Sequence, residues 1–138
     1  PGAVGFSQTF EGFGQRDEAT MIALAEALAF QAKIGRAAIE KRSRELTQQF
    51  LAGLRKLPGM KVWTSPQPEL NVAIVSFLPG TLNADKVAAA LYEKDRIGIT
   101  TRTGADRPGL RASPHIYNSP QEIDRLLAGL SKYAKSGV

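Results

Sequence analysis

A chain of 138 residues, 43% hydrophobic and with a net charge of +5, is the size of one globular domain. A chain of that length buries roughly two thirds of its unfolded surface. It has no cysteine, which excludes disulfides and thiolate metal sites, and its single histidine is too little for an imidazole cluster, so no metal site is expected. No apolar run approaches the about 20 residues of a membrane span, and no secretory pattern is present. These features lead us to expect a cytoplasmic protein without a membrane partner. The positive charge raises nucleic acid as a partner. The densest basic stretch, Arg36 to Arg55, interleaves Glu40 and Glu45 with Lys41, Arg42 and Arg44 and has no alternating aromatics. That pattern belongs to a solvated helix face rather than to a stacking platform, so no nucleic-acid partner is expected.

Residues 1–16 read as a loop, with Gly2, Gly5, Gly12 and Gly14. The start at Pro1, inside this loop, leads us to expect a piece of a longer protein. Gly12-Phe13-Gly14 stands just before a helix start, where bare backbone and outward-facing N–H groups can approach an anion. Residues 17–57 are expected to be mostly helix, with Asp17 as its cap. From Met21 to Ile34 the apolar residues run almost all round the helix, which calls for cover from a partner subunit or from chain beyond this sequence. Gly35 marks a kink or break. Ile39, Leu46, Phe50, Leu54 and Leu57 then form an ordinary amphipathic stripe.

Residues 58–138 alternate strands and helices. Pro58-Gly59 ends the helix, Met60 to Thr64 reads as a short strand, and Ser65-Pro66-Gln67-Pro68 as a loop. Asn71 to Leu78 is nearly all apolar and reads as a central strand covered on both faces. Asn83 caps a helix carrying Val87, Ala90 and Leu91. Ile97 to Arg102 and Leu110 to Ser113 are the third and fourth strands. The last helix runs from about Pro120 to Lys135, announced by the Ser119-x-x-Glu122 capping box with Pro120 at the first position. The order predicts an α+β layer, a mostly antiparallel sheet with helices on one side.

Two arginines stand out. Arg111 lies inside an otherwise strand-like run, two residues before the Ser113-Pro114 stop; read as buried, its guanidinium needs an anionic partner, and no acid lies nearby on that strand. Arg102 ends the third strand beside Thr100, Thr101 and Thr103. It either lines the same cleft as Arg111 or faces solvent. His115 reads as a hydrogen-bonded structural residue, and Tyr117-Asn118 as the turn into the last helix, with the asparagine accepting a backbone bond.

The run Leu110-Arg111-Ala112-Ser113-Pro114-His115-Ile116-Tyr117-Asn118-Ser119-Pro120-Gln121-Glu122-Ile123-Asp124 resembles the C-terminal signature of class V aminotransferases, and the likeness extends upstream through Gly14-Gln15-Arg16-Asp17. The resemblance implies the small C-terminal domain of a fold type I pyridoxal-phosphate enzyme (residues 58–138), preceded by a connecting helix region (17–57) and a Gly-rich loop (1–16), and homodimeric in the intact enzyme. It implies that Arg111 holds the α-carboxylate of an amino-acid substrate, with Arg102 beside it, and that Gly14 and Gln15 meet the cofactor phosphate; Gln15 stands where the family usually has threonine. The wording of the first loop is similar to the isopenicillin N epimerase-like branch, and epimerase, transaminase and C–S lyase chemistry share these residues. The family's Schiff-base lysine lies upstream of this chain, and none of the lysines here sits in such a motif. The resemblance therefore implies no catalytic residue here, cofactor held mainly elsewhere and no activity alone. The other expectation is a stand-alone carboxylate- or peptide-binding α+β module without catalysis.

Overall fold

The structure, a computed structural model, describes residues 17–104 and 106–138. The chain divides into two compact units, Pro1–Arg36 and Ala37–Val138. In the first, helix α1 (Glu18–Ile34) is capped by Asp17, whose carboxylate accepts from the Thr20 backbone N–H at 3.2 Å and from the Thr20 hydroxyl. These bonds, the hydroxyl's first, hold the Asp17 carboxyl below its ordinary range. The helix stops at Gly35, whose φ of 90° suits only glycine. None of its residues is buried, and Met21, Leu24, Leu28 and Phe30 are all more than half exposed. Gly14 and Gln15 lie outside the described residues.

Helix α2 (Arg36–Leu54) leads into the second unit, followed by strand β1 (Met60–Val62), a 3-10 turn (Pro68–Leu70), strand β2 (Val75–Pro79) and helix α3 (Ala84–Asp95). Strands β3 (Thr100–Arg102) and β4 (Gly109–Ala112) precede helix α4 (Pro120–Ser136). The four strands lie in the order β1-β2-β4-β3, every pair antiparallel. Val75 and Phe77 of β2 and Leu110 and Ala112 of β4 join Leu46, Phe50, Leu51 and Leu54 of α2 in one core. Val87, Ala90 and Leu91 of α3 and Ile123, Leu126, Leu130 and Tyr133 of α4 complete it. Because strand side chains alternate, helices α2, α3 and α4 cover one face of the sheet, and among the described residues of the second unit no helix covers the other. The expected α+β layer is the observed one.

Several boundaries differ from the expectation, each for a local reason. The ladder of β1 ends at Val62 because the N–H groups of both Trp63 and Thr64 turn to the single carbonyl of Ser76, at 2.8 and 3.4 Å. Two residues then face one, as in a bulge. Asn71–Ile74 is irregular rather than strand. Its backbone is claimed by side chains: Thr47 Oγ1 donates to the Val72 carbonyl at 2.6 Å, and Arg44 donates to the Asn71 carbonyl at 2.6 Å and also to that of Pro68. Strand β3 starts only at Thr100, since Arg96 leaves α3 in the left-handed region at φ 57°. The charged face of α2 also differs from the solvated one expected. Arg44 does pair with Glu40 at 2.8 Å, but Arg44 and Arg42 also bind distant backbone, Arg42 Nη2 reaching the Asn118 carbonyl at 2.9 Å.

Both helix starts read from the sequence are present. Asn83 Oδ1 accepts from the Lys86 N–H at 3.0 Å, and Ser119 and Glu122 form the complete capping box. The turn before it is built as the sequence implied: Asn118 Oδ1 accepts from the His115 N–H at 2.8 Å.

Helices α3 and α4 are joined at one acid. Asp95 accepts from Lys132 Nζ and from the Tyr133 hydroxyl, both at 2.6 Å. The Lys132 bond first, then that of Tyr133, holds the Asp95 carboxyl below its ordinary value of 3.8. Its stabilisation is therefore present above the unfolded carboxylate value and is lost as pH falls through the lower folded value. We expect Asp95→Asn to lower the melting temperature at pH 7 and to flatten the decline in stability below about pH 4. Thermal melts from pH 2 to 7 check this. Equal pH slopes in the variant and the parent would remove Asp95 from the account.

Candidate substrate-binding site

The face of the sheet opposite the helices carries the two arginines singled out by the sequence. In β4, Leu110 and Ala112 turn into the core, so Arg111 between them points the other way and is exposed. This corrects the reading of Arg111 as buried: its guanidinium keeps its water in this chain, so burial creates no demand for a counter-ion. The ladders fix its neighbours. Ser76 of β2 stands opposite Arg111 on one side, and Thr100 of β3 on the other. Arg102 stands opposite Gly109, diagonal to Arg111 on the same face. Diagonal partners of an antiparallel pair have Cβ atoms roughly 7–8 Å apart, within reach of long side chains.

Arg102 is half-buried, and its Nη1 donates to Ser76 Oγ at 3.3 Å. Since β4 separates β3 from β2, the guanidinium crosses a whole strand to make that bond. Gly109 itself has φ 130°, and a Cβ there would lie 2.2 Å from the Phe77 carbonyl oxygen. The glycine thus serves the close approach of β4 to β2.

Beside this face opens a cavity of about 640 Å³, lined by Trp63, Asn71, Ile74 and Ser76 on one side and by Arg102 and Arg107 on the other. Arg111 is not in the lining; it adjoins the cavity through Ser76. The wall formed by residues 63–76 is held by Asn71, which is buried. Its Nδ2 donates to the carbonyls of Ser65 and Gln67 at 3.0 and 2.8 Å, and its Oδ1 accepts from Gln48 Nε2 at 2.8 Å. Trp63 Nε1 donates to the Pro108 carbonyl at 2.9 Å, joining that wall to the β3–β4 loop.

The ion pairs among the described residues lie elsewhere, at Arg42–Glu45, Arg44–Glu40 and Lys132–Asp95. No described carboxylate thus lies within 4 Å of Arg102, Arg107 or Arg111. Planar guanidinium donors without a described acid beside them are groups that an anion can pair with. Sequence reasoning singled out Arg102 and Arg111 on this face and did not single out Arg107, Trp63 or Asn71. The available signal for Arg107 was three arginines within ten residues on either side of one predicted turn.

The group that the resemblance implies, pyridoxal phosphate, requires a lysine for covalent attachment. The lysines of the chain are exposed, and none lines this cavity. No acid lines it to meet a pyridine nitrogen. The described residues therefore do not fit covalent attachment of that cofactor. Among them, no group of acids and histidine is arranged to hold a metal ion, and no helix is long and apolar enough to cross a membrane.

Known proteins resemble this chain in sequence and in fold. Isopenicillin N epimerase of Streptomyces clavuligerus is 36% identical over 118 residues, covering 85% of this chain and 30% of that protein. The enzyme of the same name from Amycolatopsis lactamdurans is 32% identical over 126 residues, covering 88% and 31%. The chain thus spans about a third of the length of these relatives. The apo structure of a cysteine desulfurase from Thermococcus onnurineus NA1 superposes with a TM-score of 0.81 over 88% of this chain and 32% of that one; at 24% identity the likeness is of fold alone. Residues 7–126 match the family described as Aminotransferase class-V. With a match over that much of its length, and isopenicillin N epimerases among its relatives, this chain belongs to the class V aminotransferase family, in its epimerase-like branch.

Proposed function

We propose that this chain is the carboxylate-binding α+β portion of a pyridoxal-phosphate-dependent enzyme that acts on an amino acid. Arg111 takes the α-carboxylate and Arg102 stands beside it. The observation that carries this reading is their placement: both lie on the open face of the sheet, flanking Ser76, with no described acid to neutralise them. A carboxylate approaching that face meets planar forks of N–H donors, and two parallel charge-assisted bonds fix its orientation as well as its position. Two related solved structures are of one cystine C-S lyase, a mutant with glycine covalently linked to its PLP cofactor, 29% identical, and a complex with its product cysteine persulfide, 26% identical.

In this reading, residues 58–138 form the small domain behind a connecting region at 17–57. The cofactor is held mainly by residues outside this chain, and Gly14 and Gln15 approach its phosphate. The lysines are exposed and none lines the cavity, Lys61 coming nearest to its wall with Nζ 4.3 Å from the centre of the Trp63 ring; in this reading none of them attaches the cofactor, and the isolated chain forms no covalent adduct and is inactive. The intact enzyme works as a homodimer in the cytoplasm, a setting with which the absence of cysteine is compatible. The face that binds the carboxylate serves epimerisation, transamination and C–S cleavage equally, since each starts from the same bound amino acid.

The test is Arg111→Lys in the intact enzyme, since lysine keeps the charge and loses the fork. We expect amino-acid binding to weaken by roughly 1.5–3 kcal/mol, the usual worth of a hydrogen bond to a charged group. Thermal stability and cofactor content should be unchanged, because the guanidinium is exposed and no cofactor contact is assigned to it. Substrate titrations and melts on both proteins decide the matter. An unaltered dissociation constant in a normally folded variant would end the assignment.

A further inference from the structure

One wall of the cavity has no ladder behind it. Leu70, Val72 and Ile74 line the cavity and are exposed, and the backbone of Asn71–Ile74 that carries the last two is irregular. Such backbone has no neighbouring strand to fix it. Three side chains of α2 hold it instead. Thr47 Oγ1 reaches the Val72 carbonyl at 2.6 Å, and Gln48 Nε2 reaches Asn71 Oδ1 at 2.8 Å. Arg44 makes the most of these bonds. Its Nε and Nη2 both meet Glu40 Oε1, at 2.9 and 2.8 Å, which pins one edge of the guanidinium. The free corner, Nη1, donates to the Asn71 carbonyl at 2.6 Å and also to that of Pro68. A planar fork pinned on one side and bonded twice on the other sets the distance from α2 to the wall. From the sheet side, Thr64 Oγ1 reaches the Ile74 carbonyl at the longer distance of 3.3 Å. Arg44 itself does not line the cavity.

We propose that Arg44 is a positioning residue for amino-acid binding: from outside the cavity it fixes the wall against which the ligand's side chain packs. This rests on the reading of the cavity and its flanking arginines as the place where an amino acid binds. A wall that is ordered beforehand needs no ordering when the ligand arrives. Ordering several backbone residues on binding carries an entropic cost that weakens affinity. Losing the fork removes that preorganisation and leaves the core residues of α2, Leu46, Phe50 and Leu54, in place. The bonds to Pro68 and Asn71 are exposed and part-buried, so water replaces Arg44 at both carbonyls and the folded chain loses little. The effect falls on ligand groups that touch the wall and spares the α-carboxylate, which Arg111 takes.

Glycine and L-norleucine are the probes, in equilibrium titrations of the intact enzyme. Glycine has no side chain to meet the wall, whereas norleucine has an unbranched alkyl chain to lay along it. We expect Arg44→Met, which keeps the stem and loses the fork, to weaken norleucine binding by roughly fivefold or more and to leave glycine binding unchanged. Hydrogen exchange at the amides of residues 69–74 should become roughly tenfold faster, with the melting temperature unaltered. Glu40→Gln loosens only the pinned edge and should move both readouts the same way by less, which keeps the test sound where Arg44→Met folds poorly. Lys41→Met removes a charge from an exposed position on the same helix and should change neither. Equal weakening of both probes by the Arg44 variant, unchanged norleucine binding, or unchanged exchange at 69–74 would overturn the proposal. With the Arg44 pattern intact, failure of Arg111→Lys to weaken either probe would instead strike the α-carboxylate assignment alone. Binding of neither probe by the parent enzyme would strike the amino-acid reading of the cavity, and this proposal with it.

Discussion

Gly109→Ala should cost the folded chain about 2–6 kcal/mol. The figure combines a strained backbone, about 1–3 kcal/mol, with overlap against neighbouring atoms, about 1–3 kcal/mol. The residue sits at φ 130°, a region open to glycine and closed to L side chains. An added Cβ would lie 2.2 Å from the Phe77 carbonyl oxygen and 2.9 Å from the Leu78 Cα. These are backbone atoms of the central ladder, so no side-chain rotation relieves the overlap. The β2–β4 pairing must open, and that pairing carries Ser76 and Arg111 opposite each other. A domain of this size has only about 5–15 kcal/mol of net stability. Gly98→Ala is the matched control, since nothing lies within 4 Å of a Cβ there. Thermal melts should show a large drop for Gly109→Ala and little change for Gly98→Ala. Coincident melts would mean that β4 approaches β2 less closely than described.

Phe77→Ala should be comparably severe, at about 3–5 kcal/mol. Phe77 is fully buried and meets Phe50 edge to face, with centroids 5.7 Å apart and rings at 78°. Its removal empties the middle of the contact between the sheet and α2. The pair itself is worth about 0.5–1.5 kcal/mol beyond area burial. The two single alanine variants therefore each lose the same ring-to-ring contact, and the double variant should fall short of their sum by about that amount. Denaturant unfolding of the four proteins measures it. Strict additivity would show that the rings stabilise the core independently.

What was legible in the sequence was local. Ser119-x-x-Glu122, Asn83 and Asp17 each announce a helix start through short-range chemistry, and each cap is present. What misled was apolar content read without its partners. Asn71 to Leu78 looks like one strand, yet its first half is held off the ladder by Thr47 and Arg44, residues more than twenty positions away on α2. Arg111 illustrates a different failure. Its flanks, Leu110 and Ala112, are buried, and a run of apolar neighbours suggested burial for all three. The two-residue period of a strand sends the middle one to the opposite face. That rule was available, but which face would be open depends on where three helices pack, which no short window contains. The cavity was invisible for the same reason: Trp63, Ser76, Arg102 and Arg107 are brought together only by the ladder order β1-β2-β4-β3.

The two walls of that cavity are not equally free to change over descent. The 63–76 wall is bound through Asn71, Thr47 and Arg44 to a helix that also builds the core, so an altered residue there disturbs the fold as well as the ligand. Arg107 and Pro108 lie in the connection from β3 to β4, and the hydrogen bond described from the other wall to it reaches the Pro108 carbonyl from Trp63, a bond that depends on backbone rather than on any side chain of the connection. An exchange at 107 therefore changes the lining of the cavity and removes no described hydrogen bond. The sheet would not register the substitution. Divergence among related proteins should accordingly accumulate in this loop faster than in the wall facing it, and the loop is where a collection of variants would most economically be searched for altered selectivity.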